Sequence, residues 1–152
     1  MSELALADAN VLVAFAVSSH VHHAAARAWI STVPAFATTP ITESALIRAL
    51  VNPSIVRDAD GSQVTVATAV SVLQRLRLLA NARFLPDATS LADARALTGH
   101  ITGHRQVTDA HLLNLAIAHG AVLATFDAGI AAALKPRDRR HVLVLARPIA
   151  GR

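Results

Sequence analysis

Leu4-Ala5-Leu6-Ala7-Asp8 is the first regular segment of the chain, a short apolar run that ends on a carboxylate. Unbroken apolar runs of this length are typical of strands that are buried on both faces of a parallel sheet. Val122-Leu123-Ala124-Thr125-Phe126 has the same character and ends on Asp127. Shorter segments of this kind lie near Ala35–Thr38 and Val142–Leu145. The pattern predicts at least four buried strands.

Segments with helical periodicity separate these strands. Apolar residues recur every three or four positions in Thr42–Val51, Gln63–Leu79 and Thr108–Ala118, and Ser90–Leu97 is predicted as a shorter helix. Thr108 is the expected N-cap of its helix. Strands that alternate with helices imply a parallel sheet covered on both faces. We therefore predict an α/β fold, a three-layer α/β/α sandwich around a parallel sheet of four to five strands, as one domain spanning residues 1–152.

The composition excludes several classes of protein. Hydrophobic residues make up 53% and charged residues 16% of the chain, a mixture too apolar for a disordered protein. The absence of cysteine excludes thiol catalysis and sulfur-ligated metal sites. No apolar run approaches the roughly 20 residues that a membrane span requires, and no basic leader precedes Leu4. We expect a cytoplasmic protein without a membrane segment.

Arginine dominates the basic residues. Lys and Arg number 14 against 10 Asp and Glu, and all but one of the 14 are Arg. The planar guanidinium group suits phosphate oxygens, which favours a polyanionic partner. A GC-rich genome, in which arginine codons are common, would give the same excess. Composition alone leaves both explanations open.

Four of the ten acidic residues occupy positions where a solvated carboxylate is unusual: Asp8, Glu43, Asp109 and Asp127. Asp8 and Asp127 follow buried strands, and open α/β sheets bind ligands at the carboxyl ends of their strands. Glu43 and Asp109 each lie in the first turn of a predicted helix, on the apolar face of that helix. The apolar neighbours on those helical faces are Leu46, Ile47 and Leu50 for Glu43, and Leu112, Leu113 and Ala116 for Asp109.

Taken singly, each of these acids has an ordinary structural explanation. Glu43 or Asp109 could accept backbone N–H groups in a first helical turn, and Asp8 or Asp127 could lie in a loop or cap a helix. All four could also open onto one edge of the sheet. Two carboxylates about 4 Å apart repel by about 4 kcal/mol at an effective dielectric constant near 20, so a bound cation would be needed to hold them together.

An all-oxygen ligand set without cysteine favours Mg²⁺ or Mn²⁺ over zinc, with one or two ions in the pocket. Such ions activate water for in-line hydrolysis of phosphodiester bonds. When the four acids are set aside, six acids remain against 14 bases, a net charge of +8 on the rest of the chain. A metal-loaded pocket in basic surroundings favours a nucleic-acid substrate.

Four segments stand in a characteristic order and spacing. They are Leu6-Ala7-Asp8-Ala9-Asn10-Val11-Leu12, Ile41-Thr42-Glu43, Val107-Thr108-Asp109-Ala110-His111-Leu112 and Ala124-Thr125-Phe126-Asp127. Each motif alone is common, whereas the ordered set resembles the PIN-domain nucleases and, more narrowly, the VapC-type toxins of bacterial toxin–antitoxin pairs. The resemblance covers essentially the whole chain. It implies a parallel sheet of four or five strands and a Mg²⁺- or Mn²⁺-dependent endoribonuclease. It also implies the toxic component of a type II system, usually a homodimer, inhibited by a small VapB-type antitoxin.

Carried over to this chain, the resemblance implies catalytic and metal-binding roles for an acidic quartet. Its members are Asp8, Glu43, Asp109 and Asp127, of which Asp8 and Asp109 would bind the metal directly and the other two would act through water or orient the nucleophile. Thr125 matches a hydroxyl residue that supports the ligands from outside, and Asn10 matches a residue that orients Asp8 or caps the next helix.

Other residues near the motifs are expected at the edge of the site. Some relatives carry a further acid after the third, and Asn114 is the nearest residue here, which weakens the case for a second metal site. His104 and Arg105 lie in the loop before the third motif, which is either a mobile loop without ligands or a contact for RNA phosphates, and His111 could face the acids.

Two further features concern surfaces. His20, His22 and His23 cluster at a helix start without the partners of a zinc site, which indicates a solvated helix end that could touch RNA. Gln63–Leu79 has apolar residues on more than one face, which favours a dimer or antitoxin surface beside its core contacts.

Two other functions stay open at this point. A non-catalytic RNA- or protein-binding module on a PIN-like fold would bind RNA independently of EDTA and cut none. A small-molecule phosphatase would turn over a phosphomonoester, and its usual nucleophile motif would need a second aspartate where Asn10 stands.

Overall fold

The computed structural model describes residues 3–94 and 102–145. In this part of the chain, five strands form one parallel sheet in the order β3-β2-β1-β4-β5. The strands are β1 (Leu4–Ala7), β2 (Ala35–Thr38), β3 (Ala82–Phe84), β4 (Val122–Thr125) and β5 (Val142–Val144). The predicted parallel sheet of four to five strands is confirmed, and the first strand of the chain lies at its centre.

Helices connect the strands throughout the described residues. They are α1 (Ala9–Ala16), α2 (His23–Thr32), α3 (Pro40–Leu50), α4 (Val66–Arg77), α5 (Val107–Ala118) and α6 (Ala128–Ala133). Three 3-10 segments accompany them: Leu91–Asp93, His104–Gln106 and Pro136–His141. No helix in these two stretches of the chain is both long enough and apolar enough to cross a lipid bilayer.

The helices cover both faces of the sheet because successive strand residues point to opposite sides. On one face, Leu6 and Leu123 pack with Leu112, Leu113 and Ile130 from α5 and α6. On the other face, strand and helix residues form a second cluster. Its members include Ala7 and Phe36 from the strands and Leu12, Ile30, Leu46 and Leu76 from α1, α2, α3 and α4. The predicted three-layer α/β/α arrangement is confirmed.

Two helix predictions need correction. The helix predicted over Ser90–Leu97 is wrong at its start, where Leu91–Asp93 forms a single 3-10 turn and the Ser90 hydroxyl accepts a hydrogen bond from the N–H of Ala92. The rest of that segment, from residue 95, lies outside the described residues. Thr108 is not an N-cap, because α5 already begins at Val107 after the 3-10 turn.

Candidate active site

Asp8 and Asp127 come to the same edge of the sheet because β1 and β4 are hydrogen-bonded neighbours. The parallel register pairs Ala7 with Ala124, so the two strands end side by side. The backbone N–H of Asp8 extends the pairing by donating to the carbonyl of Ala124 at 2.9 Å. Asp8 is buried, whereas Asp127 is exposed at the start of α6.

The hydroxyl of Thr125 joins the two strand ends. It donates to Oδ2 of Asp8 at 2.8 Å, and it accepts hydrogen bonds from Nδ2 of Asn10 and from the backbone N–H of Asp127, both at 3.0 Å. A hydroxyl has one hydrogen and two lone pairs, so the bonding capacity of Thr125 is fully used. Because Thr125 is completely buried, this network fixes the orientation of the Asp8 carboxylate.

Asn10 ties the start of α1 to the segment after β4. Its Nδ2 donates to Thr125, and its Oδ1 accepts a hydrogen bond from the backbone N–H of Phe126 at 3.2 Å. These two bonds together distinguish the amide oxygen from the nitrogen. Among the described residues, Asn10 is linked to Asp8 indirectly, because both side chains hydrogen-bond the Thr125 hydroxyl. Asn10 does not cap α1, which begins at Ala9.

Asp109, in the first turn of α5, is the third member of the aspartate cluster, by which we mean Asp8, Asp109 and Asp127. Partial burial and, to a lesser extent, repulsion from Asp8 and Asp127 raise the pKa of Asp109 to about 6. Burial also raises the pKa of Asp8, against the hydrogen bonds from Thr125 and from the backbone N–H of Ala9. In residues 3–94 and 102–145, no Lys, Arg or His forms an ion pair with any of these three carboxylates.

Glu43 stands apart from the aspartate cluster. The hydroxyl of Thr38, at the end of β2, donates to its Oε1 at 2.7 Å, and Nε of Arg77 on α4 lies 3.7 Å from the same oxygen. Since β2 lies on the side of β1 opposite to β4, these contacts anchor Glu43 one strand away from Asp8. Asp8, Asp109 and Asp127 of the predicted quartet are therefore close enough to repel one another, whereas the described contacts do not join Glu43 to them.

The carboxylate of Asp127 is positioned by the first turn of α6. Its Oδ1 accepts a hydrogen bond from the backbone N–H of Gly129 at 2.8 Å, which makes Asp127 the N-cap of that helix. A Cβ atom at Gly129 would lie 3.0 Å from the same Oδ1. Glycine therefore lets the carboxylate approach the backbone this closely.

The predicted substrate-contact residues surround the start of α5. His104 and Arg105 are exposed in the 3-10 turn that precedes the helix. Arg105 lines a cavity of about 220 Å³ whose wall also contains Asp109 and Asp127. Asn114 is half-buried further along α5.

His111 is engaged outside the aspartate cluster. Its Nε2 donates to Oδ1 of Asp87 at 2.6 Å. Asp87 follows β3 and is not one of the four acids that stand out in the sequence. The pair forms because Leu85 and Leu112 belong to one core cluster, which brings the segment after β3 against α5.

Two histidines of the group near α2, His22 and His23, make packing contacts and are half-buried, whereas a fully solvated helix end was predicted. The ring of His22 stacks on Phe126, with centroids 4.4 Å apart and planes 6° apart. Nδ1 of His22 is buried without a hydrogen-bond partner among the described residues. Nδ1 of His23 donates to the carbonyl of Ala14 at 2.8 Å. Sequence offered no signal for the stacking, because its two rings are about 100 positions apart.

Comparison with known proteins shows the family to which this chain belongs. Residues 5–135 match the family model described as the PIN domain. Ribonuclease VapC38 of Mycobacterium tuberculosis is 42% identical over 144 residues, which cover 93% of this chain and 98% of the relative. Ribonuclease VapC39 of the same organism is 40% identical over 132 residues, or 84% of this chain and 91% of the relative. The chain therefore belongs to the PIN-domain family, and within it to the VapC ribonucleases.

A solved structure supports the same fold. Mycobacterium tuberculosis VapC20, described as a Sarcin-Ricin loop cleaving toxin, matches 85% of this chain and 94% of its own length with a TM-score of 0.58. The two sequences are 17% identical, so this likeness concerns the α/β/α architecture alone.

Proposed function

We propose that this protein is the toxic component of a type II toxin–antitoxin system, an endoribonuclease that hydrolyses RNA phosphodiester bonds with a divalent metal ion. The observation that carries the proposal is the convergence of Asp8, Asp109 and Asp127 at the carboxyl edge of β1 and β4. The curated relatives at 40% and 42% identity bear the name ribonuclease, which supports RNA as the substrate.

The donor set of the aspartate cluster fits Mg²⁺ or Mn²⁺. Asp8 and Asp109 are the proposed direct ligands, because the repulsion between their charges is what a cation would relieve. Within residues 3–94 and 102–145, no three His, Asp or Glu side chains form a ready-made metal site. Mg²⁺ commonly takes one or two carboxylates and completes its coordination with water and substrate phosphate, so a closed cage is not required. The aspartate cluster would hold at least one metal ion. A second ion is less favoured, because Asn114 is neutral and adds no negative charge.

When bound, the ion supplies a Lewis acid and an activated water for attack on phosphorus. The protein's own part begins with Asp8, whose carboxylate is oriented by the Thr125 hydroxyl at Oδ2 and by the backbone N–H of Ala9. Asp127 is the proposed acceptor of the proton from the attacking water. Its carboxylate is the most exposed of the three, and Gly129 occupies only Oδ1.

The remaining predicted residues receive supporting roles in this proposal. Thr125 and Asn10 hold Asp8 in place through the buried hydroxyl network. Glu43, anchored by Thr38, would act on the site through water, because it is held one strand away.

His104 and Arg105 are the proposed phosphate contacts, since both are exposed beside the cluster. His111 would have to release its bond to Asp87 before Nε2 could contact RNA.

The proposed partners follow from the family and from one exposed surface. We propose a single PIN domain over residues 1–152 that acts in the cytoplasm, forms a homodimer and is inhibited by a small VapB-type antitoxin. The apolar side chains of Val66, Val70, Leu78 and Leu79, on and just after α4, are at least a third exposed, which supports α4 as a protein-binding surface.

The experiment is incubation of the purified protein with total RNA in Mg²⁺, in Mn²⁺ and in EDTA, followed by mapping of the new RNA ends. Asp8→Asn should abolish cleavage while the protein stays folded. Asp60→Asn is the matched control, since Asp60 is exposed and bonded only to nearby Ser62 among the described residues, and it should cut normally. RNA binding that is unaffected by EDTA, without any cleavage, would favour the non-catalytic binding module instead.

A further inference from the structure

The cavity between α5 and α6 opens directly beside the aspartate cluster. Its volume is about 220 Å³, and both Asp109 and Asp127 belong to its wall. The rest of the wall is mostly apolar, formed by Ala110, Leu113, Ile130, Ala133 and Leu134. A phosphate held at the cluster would therefore have an apolar recess within reach of the neighbouring nucleotide.

The apolar side of this cavity is part of the rigid core. Leu113, Ile130 and Leu134 are at least nine-tenths buried and belong to the core cluster under α5 and α6. Ligand sites of this kind are usually preformed, with apolar walls and a small number of polar groups that set orientation.

Among the described residues, two polar side chains of the cavity wall have hydrogen-bond donors without a partner. Oε1 of Gln106 accepts hydrogen bonds from the backbone N–H and the hydroxyl of Thr102, both at 2.9 Å, while its Nε2 forms no hydrogen bond within residues 3–94 and 102–145. In the described part of the chain, the guanidinium of Arg105 forms no hydrogen bond or ion pair. Both residues line the cavity.

We propose that this cavity holds one nucleobase of the RNA substrate, adjacent to the scissile phosphate, and thereby selects the base at that position; this inference rests on the proposed function. The faces of a base are apolar and its edge carries acceptors, which matches apolar walls with donors from Gln106 and Arg105. The carboxylates of Asp109 and Asp127 in the same wall repel anionic groups, so the neutral base, and not a phosphate, is the part of the RNA proposed to enter the cavity.

The matched variants for the test are Ala133→Leu and Ala132→Leu. Both alanines are exposed on α6, but only Ala133 lines the cavity, so the same substitution fills the recess in one case and points elsewhere in the other. Burial of about 40 Å² of a base face against aliphatic side chains, at about 25 cal/mol per Å², raises affinity roughly fivefold. Loss of the base contact should lower the affinity by at least about this factor.

Binding is measured in EDTA, by fluorescence anisotropy, with a labelled random-sequence RNA oligonucleotide and with an abasic oligonucleotide of equal length. The unsubstituted protein and Ala132→Leu should bind the base-containing RNA at least about fivefold more tightly than the abasic strand. Ala133→Leu should bind both strands equally. Circular dichroism spectra and urea denaturation of the variants check that each is folded.

The two proposals fail in different ways. In one outcome, Ala133→Leu loses base-dependent binding but the unsubstituted protein cuts no RNA. This result would contradict the proposed nuclease and support the base site. In a second outcome, the unsubstituted protein cuts RNA with a metal ion, and Ala133→Leu binds RNA with unchanged affinity. This result would support the nuclease and overturn the base site, and the cavity would then be a candidate site for a side chain of a protein partner. Absence of any base-dependent affinity in the unsubstituted protein would overturn the base site as well. Where RNA is cut, end mapping should show a weakened base preference next to the cut for Ala133→Leu alone.

Discussion

Replacement of Asp109 by asparagine is expected to stabilise the metal-free protein at neutral pH. Burial and the charges of Asp8 and Asp127 raise the pKa of Asp109 from 3.8 to about 6. Between these two values the folded protein holds a proton that the unfolded chain has released. The free energy of unfolding therefore falls as the pH rises through this range. Asparagine cannot ionise, so the variant escapes this loss.

The size of the effect follows from the pKa difference. The interval from 3.8 to about 6 corresponds to about 3 kcal/mol at about 1.4 kcal/mol per pKa unit. Because the carboxyl of Asp109 is only partly buried, solvent screening reduces the expected gain to about 1–2 kcal/mol above pH 7. At pH 4 and below, where the folded protein carries a neutral Asp109, the two proteins should be almost equally stable.

Urea denaturation in EDTA at a series of pH values from 4 to 8 measures this difference. Asp60→Asn is the contrasting control, because hydrogen bonds from Ser62 lower the pKa of Asp60 and its replacement should bring no gain at neutral pH. Added Mg²⁺ or Mn²⁺ should stabilise the wild type more than Asp109→Asn. A variant that is equally stable or less stable than the wild type at every pH would show that burial and the neighbouring charges do not destabilise the ionised Asp109.

Three further outcomes follow from contacts around the site. Thr125→Val removes a buried hydroxyl with three hydrogen bonds and should lower the free energy of unfolding by about 2–3 kcal/mol; an unchanged urea midpoint would contradict this. Gly129→Ala places a methyl group 3.0 Å from Oδ1 of Asp127 and should slow RNA cleavage about tenfold. The free energy of unfolding should change by no more than about 1 kcal/mol, because alanine favours the helix. Cleavage at the wild-type rate would show that the Asp127 carboxylate can accommodate the methyl group without losing its function. Arg77→Met removes an ion pair to Glu43 whose arginine is 48% exposed and should change the free energy of unfolding by less than about 1 kcal/mol; a larger loss in urea denaturation would show a stronger role.

The sequence predicts β1, β2 and β4 well because each of these strands is an apolar run that ends on a polar residue or just before one. β1 and β2 lie where the pattern predicts them, at Leu4–Ala7 and Ala35–Thr38. The segment before α5 is harder to predict, because Thr108 is a good capping residue in a position that the preceding 3-10 turn has already made helical. Capping and helix propensities describe single residues, so they give no information about the 3-10 turn that directly precedes α5.

For the site, the sequence indicates which acids lie at strand ends and helix starts but not the order of the strands, and the order decides which acids come close together. β4 pairs with β1, so Asp127 comes beside Asp8. Glu43 follows β2 and is held there by Thr38, although its helical face is apolar as predicted. Contacts such as that of His22 with Phe126 leave no local pattern at all.

The hydroxyl that holds Asp8 belongs to a residue 117 positions further along the chain. During synthesis, the first strand leaves the ribosome long before Thr125 is made, and until β4 docks beside it Asp8 has neither its hydrogen-bond donor nor its acidic neighbour Asp127. A nascent or truncated chain therefore contains only scattered acids. The centre can therefore be completed only after translation has passed Asp127.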